Sequence, residues 1–217
     1  MIRPRHFARF VVSSAAAFLL LLLLACSSRS GDTAIVLDGS GTGRIFEGIG
    51  AASAGASSRL LYDYKEPYRS QILAYLFKPG YGAALQHLKV EIGADVNSTD
   101  GAEPSSMRSR DDHDYTRGYE WWLMEEARKR NPQIILDTLP WGAPGWVGSG
   151  HFYSQDMADY VADFLEGAQK QHQLAIAYTG VWNEKQFDSS YVKELYRTLA
   201  AQRIPAAQRQ AEALQSE

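Results

Sequence analysis

The chain has 217 residues, 45% of them apolar and 22% charged, enough for one domain or for part of a larger one. Its net charge of −3 supplies no basic field and gives no reason to expect a nucleic-acid partner. A single cysteine, Cys26, excludes an intramolecular disulfide and a zinc–thiolate cluster, and the five His show no metal-ligand spacing, so neither metal nor cofactor is expected.

Residues 1–25 have the layout of an export signal. Arg3, Arg5 and Arg9 give a positive start, and an apolar run ends in Leu19 to Leu24. The run is about 14 residues, short of the roughly 20 that a membrane span needs. Leu23-Leu24-Ala25-Cys26-Ser27 resembles a bacterial lipobox. That resemblance implies cleavage before Cys26 and lipidation of its thiol, giving an exported protein held to a membrane by lipid. Residues 26–33 then read as a polar tether, and residues 34–217 as the folded domain.

Ala34 to Leu37 suggests a short strand closed by the turn cluster Asp38-Gly39-Ser40-Gly41. A second Ile/Phe strand, Arg44 to Gly50, breaks into the Ala/Ser/Gly run 51–58. That run fits either backbone packed closely against something or a flexible loop. Helical spacing covers residues 66–77, with Pro67 in the first turn and Lys78-Pro79-Gly80 as the stop. His87 to Gly93 alternates as a strand, and its exit holds Asp95, Asn97, Thr99 and Asp100. A helix over 119–130 contains Trp121 and Trp122, which fit a core position better than a sugar platform.

Gln133 to Leu139 is the next strand. It runs into Pro140-Trp141-Gly142-Ala143-Pro144-Gly145-Trp146, whose two Pro and two Gly after Leu139 and Trp141 stiffen the loop. Trp141 and Trp146 are therefore candidates for sugar contact. A long helix over 155–172 carries an apolar stripe of Met157, Tyr160, Val161, Phe164 and Leu165. Residues 176–182 form the last strand, delivering Asn183 and Glu184, and a helix over 190–202 follows. Strand and helix alternate four times, which predicts an α/β fold with parallel strands: about the first four βα units of a (β/α)₈ TIM barrel. Barrel enzymes place chemistry at the C-terminal strand ends, so Glu184 is either a catalytic acid/base or an ordinary solvated strand-end residue.

Several runs together decide between these readings. Glu47-Gly48-Ile49-Gly50, Glu66 to Leu73, Leu88 to Gly93, Arg117 to Met124, Leu139-Pro140-Trp141 and Trp182-Asn183-Glu184 resemble glycoside hydrolase family 59, the galactocerebrosidase family. The resemblance extends from about Val36 to Tyr191 and implies retaining hydrolysis of a terminal β-galactoside, with galactosylceramide as the family's substrate. It implies that Glu184 is the acid/base, that Asn183 binds the sugar beside it, and that Thr99 and Trp141 contact galactose. Val96-Asn97-Ser98, beside Thr99, departs from the family pattern. The roles are chemically coherent. An acid/base must have its pKa raised toward working pH by burial or a neighbouring carboxylate. An Asn can bind the sugar 2-hydroxyl, a contact that strengthens in the transition state.

A retaining glycosidase needs a second carboxylate, about 5–5.5 Å from the first, as nucleophile. In the family that Glu lies on a later strand, near the seventh. The chain is therefore expected to be a truncated version without its nucleophile, inactive alone. Glu91 and Asp137 sit near strand ends, but no matching motif makes either a substitute. The alternatives are another retaining β-glycosidase of the same barrel superfamily, a non-catalytic surface lipoprotein that binds sugar through Trp141 and Trp146, and a non-functional product.

Overall fold

The computed structural model describes residues 35–36, 38–41, 43, 45–98, 101–202 and 204. The leader, the tether, Cys26, Thr99 and the chain beyond residue 204 lie outside the described residues. The chain divides into two units, residues 1–45 and 46–217. In the first, the Asp38 carboxylate accepts the backbone N–H of Ser40 at 2.9 Å and its hydroxyl at 2.6 Å, making the expected turn. The strand expected over 34–37 is not formed at residues 35 and 36.

The second unit carries a four-stranded parallel sheet in the order β1-β2-β3-β4. The strands are β1 (Gly50–Ser53), β2 (His87–Ile92), β3 (Ile135–Pro140) and β4 (Tyr178–Thr179). The helices are α1 (Ser58–Asp63), α2 (Tyr68–Phe77), α3 (Glu120–Arg130), α4 (Gln155–His172) and α5 (Ser189–Ala201). The alternation and the parallel pairing are those expected for an α/β fold.

The first strand is displaced from its expected place. Residues 45–49 are not in a strand, and β1 is built from the small residues that follow them. The cause is close approach. A Cβ at Gly50 would lie 2.4 Å from His87 Cβ and 2.8 Å from the His87 carbonyl oxygen, so only glycine lets β1 meet β2 there. The small run does pack closely, against the chain's own backbone. α1 lies in a stretch, residues 59–63, to which the sequence reading assigned no element.

The two faces of the sheet differ. Leu88, Val90, Ile92, Leu136 and Thr138 are buried, and the apolar ones share a core with Leu73, Phe77, Trp121, Met124, Tyr160, Val161 and Phe164 from the helices. On the opposite face, His87, Lys89, Ile135, Asp137 and Leu139 are half-buried. Period-two alternation thus separates a helix-covered face from a more polar one. Lys89 Nζ lies 3.1 Å from the carboxylate of Asp137, its register partner on β3. Asp137 is therefore mid-strand and ion-paired, not at the strand end. Trp121 stacks on Phe164 at 4.2 Å and on His172 at 5.0 Å, and is a core residue as expected.

Two helix starts explain how α4 and α5 are set. The Ser154 hydroxyl accepts the Met157 N–H at 3.3 Å, and the Asp188 carboxylate accepts those of Ser190 and Tyr191, both at 2.9 Å. Among the described residues no helix is long and apolar enough to cross a membrane.

Candidate active site

The exits of β1, β2, β3 and β4 all leave the same end of the parallel sheet. β3 and β4 stay together beyond the regular ladder. The Gly180 N–H donates to the Thr138 carbonyl at 2.7 Å, and the Asn183 N–H to the Pro140 carbonyl at 3.0 Å. Asn183 and Glu184 thereby follow one partner of that last bond while Trp141 follows the other. β4, residues 178–179, is shorter at both ends than the expected 176–182, and the chain bends at Val181. Gly180 itself is pressed against Leu139, whose Cδ1 would lie 2.3 Å from an added Cβ.

Glu184 adopts a left-handed backbone, φ 50°, which turns the chain sharply after Asn183. Trp182 ties this turn to neighbouring rings. Its ring meets Tyr153 edge-on at 5.4 Å and also contacts Phe187 at 6.0 Å and Tyr191 at 6.4 Å. The Tyr153 hydroxyl donates to the Gln186 carbonyl, closing the loop over the ring cluster. Asn183 and Trp141 are half-buried and Glu184 is exposed. The burial expected of an acid/base is thus not supplied by the described residues.

The β2 exit packs against the β3 exit. A Cβ on Gly142 would come within 2.5 Å of Val96 Cγ2, so the residue after Trp141 sits directly on the loop that leads to Thr99. That loop is closed on itself. Ala94 and Asp95 both donate N–H groups to the Glu103 carbonyl, at 3.0 and 3.1 Å, and the Ser98 N–H donates to the Gly101 carbonyl at 3.1 Å. Trp141, Asn183 and Glu184 are therefore on neighbouring strand ends, with Val96 of the β2 exit against Gly142.

Trp146 does not join them. Its indole N–H donates to the Met107 carbonyl at 2.8 Å, its ring meets Tyr160 edge-on at 6.2 Å, and the Arg110 guanidinium lies over it at 5.2 Å. These contacts orient its ring, which a stiff strand-end loop alone could not reveal.

Sequence reasoning noted Glu91 only as a strand-end acid and missed that it is one of three buried acids. Glu91, Glu103 and Glu120 are 0%, 2% and 1% exposed. Glu91 Oε2 accepts the Gly55 N–H at 2.6 Å and the Ser98 hydroxyl at 3.0 Å. Glu103 Oε1 accepts the N–H groups of Tyr119 and Glu120, at 2.7 and 3.3 Å, and so caps α3 from a distance in sequence. Glu120 Oε1 accepts the hydroxyls of Ser53 at 2.7 Å and Ser58 at 3.0 Å. In each acid the other oxygen is buried without a partner. Burial raises all three carboxyls, Glu103 to about 7 and Glu120 to about 8. Repulsion adds to it, from Glu91 on Glu103 and from both on Glu120. The available signal was weak: Glu91 lies between Val90 and Ile92, and Glu120 between Tyr119 and Trp121.

Residues 46–216 match glycosyl hydrolase family 59. Among curated proteins, the chain is 57% identical to a galactocerebrosidase of Mus musculus over 172 residues, 76% of this chain and 25% of that protein. It is 56% identical to a galactocerebrosidase of Danio rerio over 166 residues, 74% of this chain and 25% of that protein. The chain thus spans about a quarter of the length of the curated relatives it matches. Among solved structures, the catalytic domain of the GH30 xylanase C from Talaromyces cellulolyticus superposes with a TM-score of 0.58 at 19% identity, covering 75% of this chain and 45% of that one. At that identity the likeness speaks for the fold alone.

Proposed function

The chain belongs to glycosyl hydrolase family 59, and from that premise we propose that it forms the first part of a retaining β-galactosidase barrel acting on galactosylceramide or a similar galactolipid. In this reading Glu184 is the acid/base, Asn183 binds the sugar 2-hydroxyl, Trp141 covers an apolar sugar face and Thr99 bonds a hydroxyl. The observation that carries it is the Asn183–Pro140 hydrogen bond of 3.0 Å, which sets Asn183-Glu184 and Trp141 on adjacent strand ends. The relatives that bear the name galactocerebrosidase support the substrate class.

The nucleophile is supplied by later strands of a (β/α)₈ barrel, outside these 217 residues. Two observations support this. Asp137 is ion-paired to Lys89, and Glu91 is fully buried and bonded to Gly55 and Ser98. Neither carboxylate is disposed to attack an anomeric carbon. Those later strands would also cover Glu184 and provide the desolvation that an acid requires. Residues 1–25 serve as an export signal and residues 26–33 as a tether, with Cys26 lipidated and the enzyme held at a membrane surface. The residue pattern of the leader supports that part of the reading.

The test is hydrolysis by the protein that carries this domain. Glu184→Gln lowers turnover on galactosylceramide by roughly 10²–10⁴-fold. The loss is smaller for a dinitrophenyl β-galactoside, whose leaving group departs without a proton. Equal losses of kcat/KM, which reports departure of the aglycone, would remove Glu184 from the acid role; kcat itself falls on both substrates, because the same group is the base of the second step. The 217-residue chain alone gives no turnover; retention-type hydrolysis by it would place the nucleophile within these residues.

A further inference from the structure

The side chain of Glu184 is exposed, so its direction is set by its backbone, and that backbone is left-handed, φ 50°. A residue with a Cβ keeps such a conformation where its surroundings enforce it. On the strand side the Asn183 N–H is bonded to the Pro140 carbonyl at 3.0 Å. On the helix side the Asp188 carboxylate caps α5 through the N–H groups of Ser190 and Tyr191. Between these two ends the loop rests on two consecutive residues of another segment. The Lys185 ammonium lies 4.6 Å from the centre of the Phe152 ring, and the Gln186 carbonyl accepts the Tyr153 hydroxyl. The two residues directly after Glu184 are thus each held from outside the loop.

Phe152 and Tyr153 are themselves firmly set. They precede Ser154, the cap of α4, whose hydroxyl accepts the Met157 N–H. The turn before them is closed by the His151 N–H on the Gly148 carbonyl at 3.0 Å and by the Gly148 N–H on the Asp156 carboxylate at 2.9 Å. Their rings meet edge-on at 5.5 Å, and both pack against the buried Tyr191, at 6.0 and 5.4 Å. A ring and a hydroxyl presented from a capped helix start form the kind of rigid support that a preorganised site needs. Residues 141–154 connect β3 to α4. Trp141 stands at one end of this connection, and the pair that holds the Glu184 loop stands at the other.

We propose that Phe152 and Tyr153 are positioning residues that keep Glu184 in its left-handed turn and so aim its carboxyl group at the leaving oxygen. The aim rests on the acid/base role proposed above; the hold on the turn does not.

Two experiments on the protein that carries this domain test the two parts. Trypsin cuts after Lys185 when the loop opens. Tyr153→Phe keeps the ring and removes the hydroxyl; cleavage at that bond, followed by mass spectrometry, becomes about tenfold faster, while the thermal midpoint stays within about 3 °C. Phe152→Leu speeds cleavage after Glu184 by a glutamate-specific protease in the same way, and takes over if Tyr153→Phe does not fold. In the second experiment Tyr153→Phe lowers kcat/KM on galactosylceramide by about tenfold, leaves that on a dinitrophenyl β-galactoside nearly unchanged, and adds no loss to Glu184→Gln. Cleavage as slow as in the unaltered protein overturns the hold. Equal losses on both substrates, or a full further loss on top of Glu184→Gln, overturn the aim. If Glu184→Gln spares hydrolysis of galactosylceramide, the enzymatic reading fails, and the cleavage rates still decide the hold.

Discussion

The Ser53 hydroxyl donates to the Glu120 carboxyl at 2.7 Å, joining the end of the first strand to the first turn of α3 inside the protein. A glutamate in a helix's first turn ordinarily faces water and complements the dipole. Here it is 1% exposed, and its other oxygen has no partner. The bond therefore holds two elements together through a group that resists ionisation.

Stability should accordingly fall as pH rises. Below about 4.5 the carboxyls of Glu103 and Glu120 are neutral in both folded and unfolded chains. Above that, the unfolded chain ionises first, because the folded values are about 7 and about 8. The folded state then binds more protons, so stability declines up to about pH 8, by a total on the order of a few kcal/mol. Chemical denaturation at pH 5 and pH 8 should show this decline. Glu120→Gln, which keeps an acceptor for Ser53 and Ser58, should reduce it while changing little at pH 5. A midpoint that is higher at pH 8 than at pH 5 would contradict the assignment.

The β2 exit should not tolerate a methyl group at its first residue. An alanine Cβ at position 93 would lie 2.2 Å from the Pro104 carbonyl oxygen and 2.9 Å from that of Glu103, both backbone atoms. Gly93→Ala should cost about 1–3 kcal/mol in thermal or urea unfolding. Gly145→Ala, with nothing within 4 Å of its Cβ, provides the control and should change stability by less than about 0.5 kcal/mol.

Trp182 should matter more to the turn than to the fold. Trp182→Ala removes the ring on which Tyr153, Phe187 and Tyr191 converge. Because Trp182 is only half-buried, the loss should fall near the lower end of the core range, about 2–3 kcal/mol. Trp182→Phe should restore most of it. Near-ultraviolet circular dichroism reads the aromatic cluster directly, and a spectrum unchanged in Trp182→Ala would contradict the brace.

Where local chemistry and tertiary structure agreed, the sequence was sufficient. α4 lies at residues 155–172 as expected, because Ser154 supplies a cap and the apolar stripe faces the core. β1 was misplaced because its Gly, Ala and Ser residues have no strand pattern of their own; strand geometry there comes from the approach of His87. At the site, Trp141, Asn183 and Glu184 were legible as strand-end residues, but the exposure of Glu184 was not, since burial depends on elements far away in sequence. Trp146 is held by Met107, Tyr160 and Arg110, contacts that a stiff loop does not foretell because it fixes position without fixing direction. Glu103 and Glu120 went unnoticed because acids near a helix start are ordinary until their surroundings are known.

Each strand of the sheet pairs with the strand just before it in the chain. During synthesis, then, every new βα unit emerges onto a completed edge, and no strand has to wait for one made much later. The turn that bears Glu184 depends on the Pro140 carbonyl, which leaves the ribosome well ahead of it. Once residue 202 has itself emerged from the ribosome, the Trp141 edge and the Glu184 turn therefore already have the strands that hold them.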